Sequence, residues 1–442
     1  YSIPNHGDKD IFAAKYNAEG DLKWARNIAG GVESQRLFDA SIFNDTISIS
    51  ATFSDSLTLS FPTEQKLYAD GTNNLIATFD LEGNHLGSNI SGSIEPGSSR
   101  ITNIKQNAEG IYAIGYYSDS LIIGNDTTVS NNSTDDYFLT KHNSTSLDIE
   151  WIRKISGDGV INGNSLELFD SYIYTSGFFS SPSLDVEINS SELNNYESIN
   201  NGGEDIFICK YNNSGELIDF IYFGSISDDR AFNGSVNNQG YSITGFFSDK
   251  MEIFNKTIET TGTVNKDAFI ARFTVDLDLI FANSIKTEGN FIDVGVDIKL
   301  LETNYPIITG YSNSSELRIG DSIYYNSTAN KSQFFIAQIG CLPININAET
   351  PAEINCFGET GGLTVDADGG FSSYLLYSID GGATYEQNDG LFEDLPAGEY
   401  DIMVKDSTGC TVAGGSYTLV EPGELDVSVV STADITNDAD GE

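Results

Sequence analysis

The sequence predicts an all-β chain: a multi-bladed β-propeller over residues 1–340, a small β-sandwich over 341–424, and the start of a further repeat over 425–442. Three observations predict it: a strand-like phrase that recurs six times, a second phrase in step with it, and an abrupt end to the period at Cys341-Leu342-Pro343. The first phrase begins at Asp10, Asn73, Asp136, Asp205, Asp267 and Gln333 and reads DIFAAKY, NNLIATF, DYFLTKH, DIFICKY, DAFIARF and QFFIAQI. The copies start 63, 63, 69, 62 and 66 residues apart, a spacing that marks an array of supersecondary units.

Each copy carries a bulky apolar residue at its third position (Phe12, Leu75, Phe138, Phe207, Phe269, Phe335) and a small one at its fifth (Ala14, Ala77, Thr140, Cys209, Ala271, Ala337). Positions two apart share a strand face, so one face alternates large and small. The second phrase is centred on a glycine: Gly115 in IYAIGYYSDSL, Gly177 in YIYTSGFFSS, Gly245 in YSITGFFSDK and Gly310 in YPIITGYSNS, with Ala51 in its place in ISISATFSDSL. A G-x-L-x-W-like strand follows most copies of the first phrase, as at Gly20, Leu22 and Trp24. A weaker run before the glycine phrase, such as SLELF at 165–169, completes four strands per period. Four antiparallel strands per repeating unit is the composition of a propeller blade. Counted from the G-x-L-x-W strand to the next DIF strand, five blades fit with one strand over, which predicts six or seven blades and sequence upstream of Tyr1. Alternatively, Asp10 to Ile28 closes the ring as a strap.

Sixty-five acidic residues against 22 Lys plus Arg give a formal charge of −43, while aromatics make up 11 % of the chain. The aromatic content argues against a disordered acidic tail. A field of that sign repels phosphate backbones and anionic lipid surfaces, so nucleic acid is excluded as a partner; cations and neutral glycans are not. No apolar run approaches the roughly 20 residues that span a bilayer.

The blade region resembles the bacterial β-propeller repeats called SBBP repeats, common in secreted proteins of the Bacteroidota, on lines such as GDKDIFAAKYNAEGDLKWARNIAGG and GGEDIFICKYNNSGELIDF. That resemblance implies a fold and no catalytic residue. The segment after Pro343 alternates apolar runs with Gly, Asp and Pro turns, as a small sandwich does. It resembles the SprB-type, Ig-like repeat of cell-surface and gliding-motility adhesins through CFGETGG at 356–362, YSIDGG at 377–382, LPAGEYDIMVKD at 395–406 and Gly409-Cys410. Within the resemblance, Cys356 and Cys410 are expected to form a disulfide stabilising by roughly 3 to 4 kcal/mol in the chain-entropy model; the alternative is two free buried thiols. Cys209 reads as a small core residue, and Cys341 is unassigned.

No catalytic residue is predicted. His6, His85 and His142 lie in no metal or triad pattern, and His142 takes a position filled elsewhere by Tyr16, Tyr211 and Phe273. Ser378 to Tyr385 resembles the Asp-box of sialidase propellers, yet Asp380-Gly381 reads as a hairpin turn outside the blades. Asp366 and Asp368 have the D-x-D-G spacing of a candidate calcium turn; otherwise no cofactor is expected. Asp-Ser/Thr sequences resembling an O-glycosylation acceptor occur at Thr46, Ser56, Ser120, Thr127, Ser322 and Ser407. Ser56 and Ser120 fall at equivalent places, which suggests one exposed turn reused. Together these readings lead to the expectation of a non-enzymatic, extracellular adhesin fragment at the cell surface, a propeller head on an Ig-like stalk exported by type IX secretion, acting in adhesion or gliding. Expected partners are surface proteins, glycans or other subunits of a surface machine. The alternatives are a secreted carbohydrate-active propeller enzyme and a structural spacer or filament subunit.

Overall fold

The computed structural model describes residues 2–428 apart from residue 4 and the segments 60–63, 94–96, 124–125, 130–133, 198–199, 201, 255, 261–265, 286–291, 301–305, 314–315, 320–321, 326–331, 339–343, 371–373 and 407–409. The chain is all-β, with no helix among the described residues, and it divides into two compact units, Tyr1–Gly340 and Cys341–Glu442.

The first unit opens with β1 (Ile11–Tyr16) and β2 (Leu22–Gly30), an antiparallel pair. Then β3 (Arg36–Phe43), β4 (Thr46–Leu59), β5 (Gln65–Asp80) and β6 (His85–Gly92) form a four-stranded meander in sequence order. The next repeat contributes β7 (Ser99–Asn107), β8 (Gly110–Tyr117), β9 (Ser120–Ile123), β10 (Asp126–Val129), β11 (Asp136–His142) and β12 (Ile149–Gly157). The third contributes β13 (Ile161–Phe169), β14 (Tyr172–Phe179), β15 (Ser183–Glu187), β16 (Leu193–Glu197), β17 (Asp205–Asn212) and β18 (Leu217–Phe223). The fourth contributes β19 (Arg230–Asn237), β20 (Gly240–Ser248), β21 (Lys250–Ile253), β22 (Lys256–Glu259), β23 (Lys266–Phe273) and β24 (Leu279–Ile285). The fifth ends the unit with β25 (Asp293–Leu300), β26 (Pro306–Ser312), β27 (Glu316–Ile319), β28 (Ser322–Tyr325) and β29 (Gln333–Gln338). Sheet order is β7-β8-β11-β12, β13-β14-β17-β18, β19-β20-β23-β24 and β25-β26-β29.

Each of the three middle periods therefore holds six strands rather than the four predicted. The extra pair is a hairpin between the second and third sheet strands; β9 adds to β6 and β15 to β12 of the preceding sheet, whereas β21-β22 and β27-β28 stand as separate two-stranded sheets. In the first full sheet the hairpin is continuous with β4 and β5, and the end of β4 pairs with β2 at Ala29↔Leu59. The strap reading of residues 10–28 is not what forms: among the described pairings β1 joins only β2, and β2 only β1 and β4.

The two repeated phrases are the middle strands of each sheet, and they are coupled by size. Gly115 pairs with Phe138, Gly177 with Phe207, Gly245 with Phe269 and Gly310 with Phe335, whereas Ala51 pairs with Leu75. A Cβ on Gly177 would lie 1.9 Å from the Asn162 carbonyl oxygen and 2.9 Å from the Phe207 ring. The one repeat that lacks the phenylalanine is the one that tolerates an alanine.

Sheets stack face to face. In the central sheets the second and fourth positions of one DIF strand pack on the third, fifth and seventh positions of the next sheet's strand: Tyr137 and Leu139 bury against Phe207, Cys209 and Tyr211, and Ile206 and Ile208 against Phe269, Ala271 and Phe273. Trp151 lies under the following sheet's turn at Gly215, where φ is +78° and an added Cβ would meet the indole at 2.9 Å, while Arg153 Nε donates to the Gly215 carbonyl at 2.6 Å. Only glycine combines that left-handed backbone with that approach.

The second unit contains β30 (Ile344–Ala352), β31 (Gly361–Gly369), β32 (Leu375–Ser378), β33 (Leu391–Leu395), β34 (Gly398–Asp406) and β35 (Thr411–Leu419). They form two three-stranded antiparallel sheets, β30-β31-β33 and β32-β34-β35. Its buried apolar residues include Leu363, Val365, Tyr377, Phe392, Ile402, Val404 and Leu419. Glu349 on β30 accepts from Gly415 N–H at 2.8 Å and Tyr417 O–H at 2.9 Å, tying one sheet to the other. No strand is present at 420–428, and 429–442 lies outside the described residues.

The expected Cys356–Cys410 disulfide is not formed. Cys410 is buried and disulfide-bonded, but Cys356 is a free, exposed thiol in the turn after β30. Cys356 lies in a solvent-facing segment, whereas Cys410 is drawn inward where its N–H donates to Asp406 Oδ1 at 2.9 Å. Cys209 is free and wholly buried, as a small core residue should be. Cys341 lies outside the described residues.

Candidate binding site on the inner strands

The first strand of each of these five sheets carries a register shift at the same place: Leu37/Asp39 in β3, Ile101/Asn103 in β7, Gly163/Ser165 in β13, Ala231/Asn233 in β19 and Gly295/Asp297 in β25. Such a bulge re-aims the residues after it. The residue that follows is polar in all five, namely Asp39, Asn103, Ser165, Asn233 and Asp297. Two residues on, Ser41, Lys105, Glu167, Ser235 and Lys299 form a second polar tier.

These tiers stitch neighbouring inner strands about one repeat apart. Asp39 Oδ2 accepts from the Ile104 N–H at 3.0 Å and Ser41 Oγ from the Gln106 N–H at 3.1 Å. Farther along the row, Asn233 Nδ2 donates to Asp297 Oδ1 at 2.6 Å and the Leu300 N–H to Ser235 Oγ at 3.1 Å. Charge concentrates at Lys105, whose Nζ lies 3.2 Å from Glu167 Oε1. Burial works against the Lys105 ammonium, yet Glu167, Asp39 and Asp297 hold its pKa above the usual lysine value. Burial raises Glu167, with Lys105 and Lys299 opposing, and burial also raises Asp39 against the Ile104 N–H and Lys105. Asp297 on β25 thus acts on side chains of β3 and β7, and Lys299 on one of β13. Among the inner strands, β3 packs on β7, β7 on β13, β13 on β19 and β19 on β25.

Asn103 is nine-tenths buried between these groups and its Oδ1 has no hydrogen-bond partner. The site therefore offers acceptors, one hydrogen-bonded ammonium and hydroxyls, a lining suited to a neutral polyhydroxylated ligand. No group of three or more His, Cys, Asp or Glu able to hold a metal ion is found among the described residues. Sequence reasoning passed over these residues; the signal available was the recurrence of polar–apolar–polar triplets such as Asn103-Ile104-Lys105 and Ser165-Leu166-Glu167.

The residues singled out in the sequence do not converge there. Thr46 is half-buried at the start of β4. Ser56 and Ser120 are 8 % and 5 % exposed, contrary to the exposed turn expected. Asp55, at φ of 62°, is a bulge inside β4 and Asp119, at 59°, the bend before β9, and the serine after each is paired in a hairpin, Ser56↔Tyr68 and Ser120↔Val129. Thr127 and Ser322 lie within β10 and β28, and Ser407 lies outside the described residues. Asp366 and Asp368 are exposed within β31 rather than around a turn. Amide donation from Asn345 and Asn347, each at 3.1 Å, holds the Asp368 carboxyl below its usual range.

His142 is a packed ring: Nδ1 lies 3.1 Å from the Leu147 carbonyl and Nε2 3.0 Å from Thr140 Oγ1, and burial lowers its pKa. Asp380 organises the loop whose ends meet at Tyr377 and Glu386, accepting from the Thr384 N–H at 2.9 Å and Oγ1 at 2.6 Å. Asp229 is buried between sheets and accepts from the Ser248 N–H at 2.9 Å and the Ser225 N–H at 2.5 Å. Burial pushes its carboxyl up to about 7, with nearby Asp205 adding to the rise. Set against known protein families and curated proteins, the chain matches none of them.

Proposed function

We propose that the chain is part of a non-enzymatic, extracellular adhesin of the cell surface, with residues 1–340 as a β-propeller head and 341–424 as an Ig-like stalk repeat that 425–442 begins again. The observation that carries the reading is the state of the inner-strand acids. Asp39, Glu167 and Asp297 are each committed to a neighbouring strand by a hydrogen bond or ion pair, whereas a glycoside hydrolase needs two carboxyls about 5 to 9.5 Å apart that are free to exchange protons with substrate. The five side-by-side sheets with sequential strand order support a propeller. A lining of amides, hydroxyls and ion-paired groups supports shallow recognition of surface glycans or surface proteins, with many copies supplying avidity. Export through the type IX route, attachment to a surface machine and a role in adhesion or gliding are parts of the same proposal.

The raised Glu167 and Asp39 carboxyls are what a hydrolase reading would build on, and one experiment separates the two. The purified 442-residue chain is incubated with a glycan panel, and both retention and released sugar are measured. Retention without release, weakened by Asn103→Ala, is the expected result. Sugar release that Glu167→Gln abolishes would replace the adhesin with an enzyme.

A further inference from the structure

The stacking rule leaves two faces uncovered, and they are complementary. At the two central junctions, positions two and four of one DIF strand bury against positions three, five and seven of the next, and at the two before them position two does so, Ile11 against Leu75, Ala77 and Phe79 and Ile76 against Phe138. In the last sheet, positions two and four are Phe334 and Ile336, exposed to 70 % and 66 %, whereas their counterparts Ile206 and Ile208 are 0 % exposed. In the first pair, positions three and seven are Phe12 and Tyr16, exposed to 63 % and 59 %, against 0 % for Phe207 and Tyr211. The opposite faces of the same strands are buried, with Ile11 at 4 % and Phe335 at 9 %.

The strand edges match the faces. Strands β5, β11, β17 and β23 each pair outward with a fourth strand and inward with a second. Among the described pairings β29 has only its inward partner β26, and β1 only its outward partner β2. Among the described pairings the first pair thus shows no inner two strands and the last sheet no fourth, and the charge of Asp297 on β25 bears on Asp39 of β3.

We propose that both faces are one docking socket, whose occupant is a three-stranded segment of this same repeat type: a fourth strand for β29, then a first and second strand for β1. The segment β18–β19–β20 of this chain has that order, and serves as the pattern. Continuity with the four buried junctions argues for it, because such a segment covers Phe334, Ile336, Phe12 and Tyr16 and also pairs both open edges. A second copy laid head to tail would cover the aromatic faces alone and leave the edges bare. Unpaired edges of that kind are where extra strands add.

The test joins a copy of residues 214–249 through a flexible linker ahead of the full chain and compares hydrogen exchange, apolar-dye binding, melting temperature and mass in solution with the unfused chain. Amides of β1 and β29 are expected to exchange roughly tenfold or more slowly in the fusion, with dye binding lost and melting raised. Phe334→Asp with Ile336→Asp, both at exposed positions, should cancel the gain while leaving the unfused chain folded. Unchanged exchange in the fusion overturns the proposal. So does an unfused chain that is already an oligomer with β29 protected, which would make a second copy the occupant.

Discussion

The two units reach stability by different routes. In Tyr1–Gly340 the apolar cores recur from sheet to sheet, mainly aliphatic in the first two and rich in aromatics in the next two, as with Tyr137, Phe207 and Tyr211. In Cys341–Glu442 two three-stranded sheets bury a handful of aliphatic and aromatic residues and rely on a disulfide at Cys410 and side-chain bridges such as Glu349–Tyr417. Redundant packing distributes the load of folding over many equivalent junctions. A small sandwich has no spare layer, so single cross-links carry more of its stability.

The largest expected effect follows from that contrast. Cys410→Ala should destabilise the second unit by about 2–5 kcal/mol and leave the first unit's melting transition in place, as two-transition calorimetry would show. Cys209→Ala, which trims one small buried side chain from the first unit, should cost only about 1 kcal/mol. Thiol labelling without reductant gives the matching chemistry. Cys356 should react in the native state, Cys209 only on unfolding and Cys410 only after reduction. Native labelling of Cys410 would remove the disulfide from the account.

Next in size is the pairing of glycine with phenylalanine. Gly177→Ala should cost about 1–3 kcal/mol in the first unit alone by forcing an overpacked contact with the Asn162 carbonyl and Phe207. Adding Phe207→Leu recreates the Ala51–Leu75 combination of the first full sheet, so the double variant should be less destabilised than the sum of the singles. Strict additivity would mean that the glycine answers to the backbone only.

These pairs also explain what could be read before the structure. The DIF and glycine phrases are adjacent strands that constrain each other at Gly177–Phe207 and its equivalents, so both leave a repeating mark in the sequence. The inserted hairpins leave a fainter one: their first strands β9, β15, β21 and β27 read SLII, SLDVE, KMEI and ELRI, only four or five residues with two shared apolar positions, too short to stand apart from the glycine phrase that precedes them. The inner-strand polar tiers were hidden for a different reason. The bulge at Leu37/Asp39 and its equivalents shifts the period-2 register, so a simple alternation misassigns every later side chain. The Cys356 expectation failed because a resemblance carries a pairing over without the local geometry that draws Cys410 in and leaves Cys356 outside.

The smallest effect is a difference in sign between the two units as pH changes. Asp229 in the first unit has a folded pKa raised to about 7, from 3.8, by burial. The native state therefore holds this proton more tightly than the unfolded chain between those values, and linkage makes its contribution to stability fall as pH climbs from 4 to 7 and level off above. Asp380 in the second unit is the reverse: bonds from Thr384 and Ser378 hold its carboxyl well below the usual range, so its contribution is complete above the unfolded value and is lost as pH drops below about 4. Asp229→Asn and Asp380→Asn each remove one titration. Measured as the melting difference from the parent chain in the matching unit, the first should shift in the parent's favour as pH is lowered from 7 to 4. The second should stay constant over that window and shrink only below it. Equal slopes in the two units would show that the Ser225 and Ser248 N–H bonds outweigh burial at Asp229, and that the inter-sheet carboxylate is held ionised like the one in the loop.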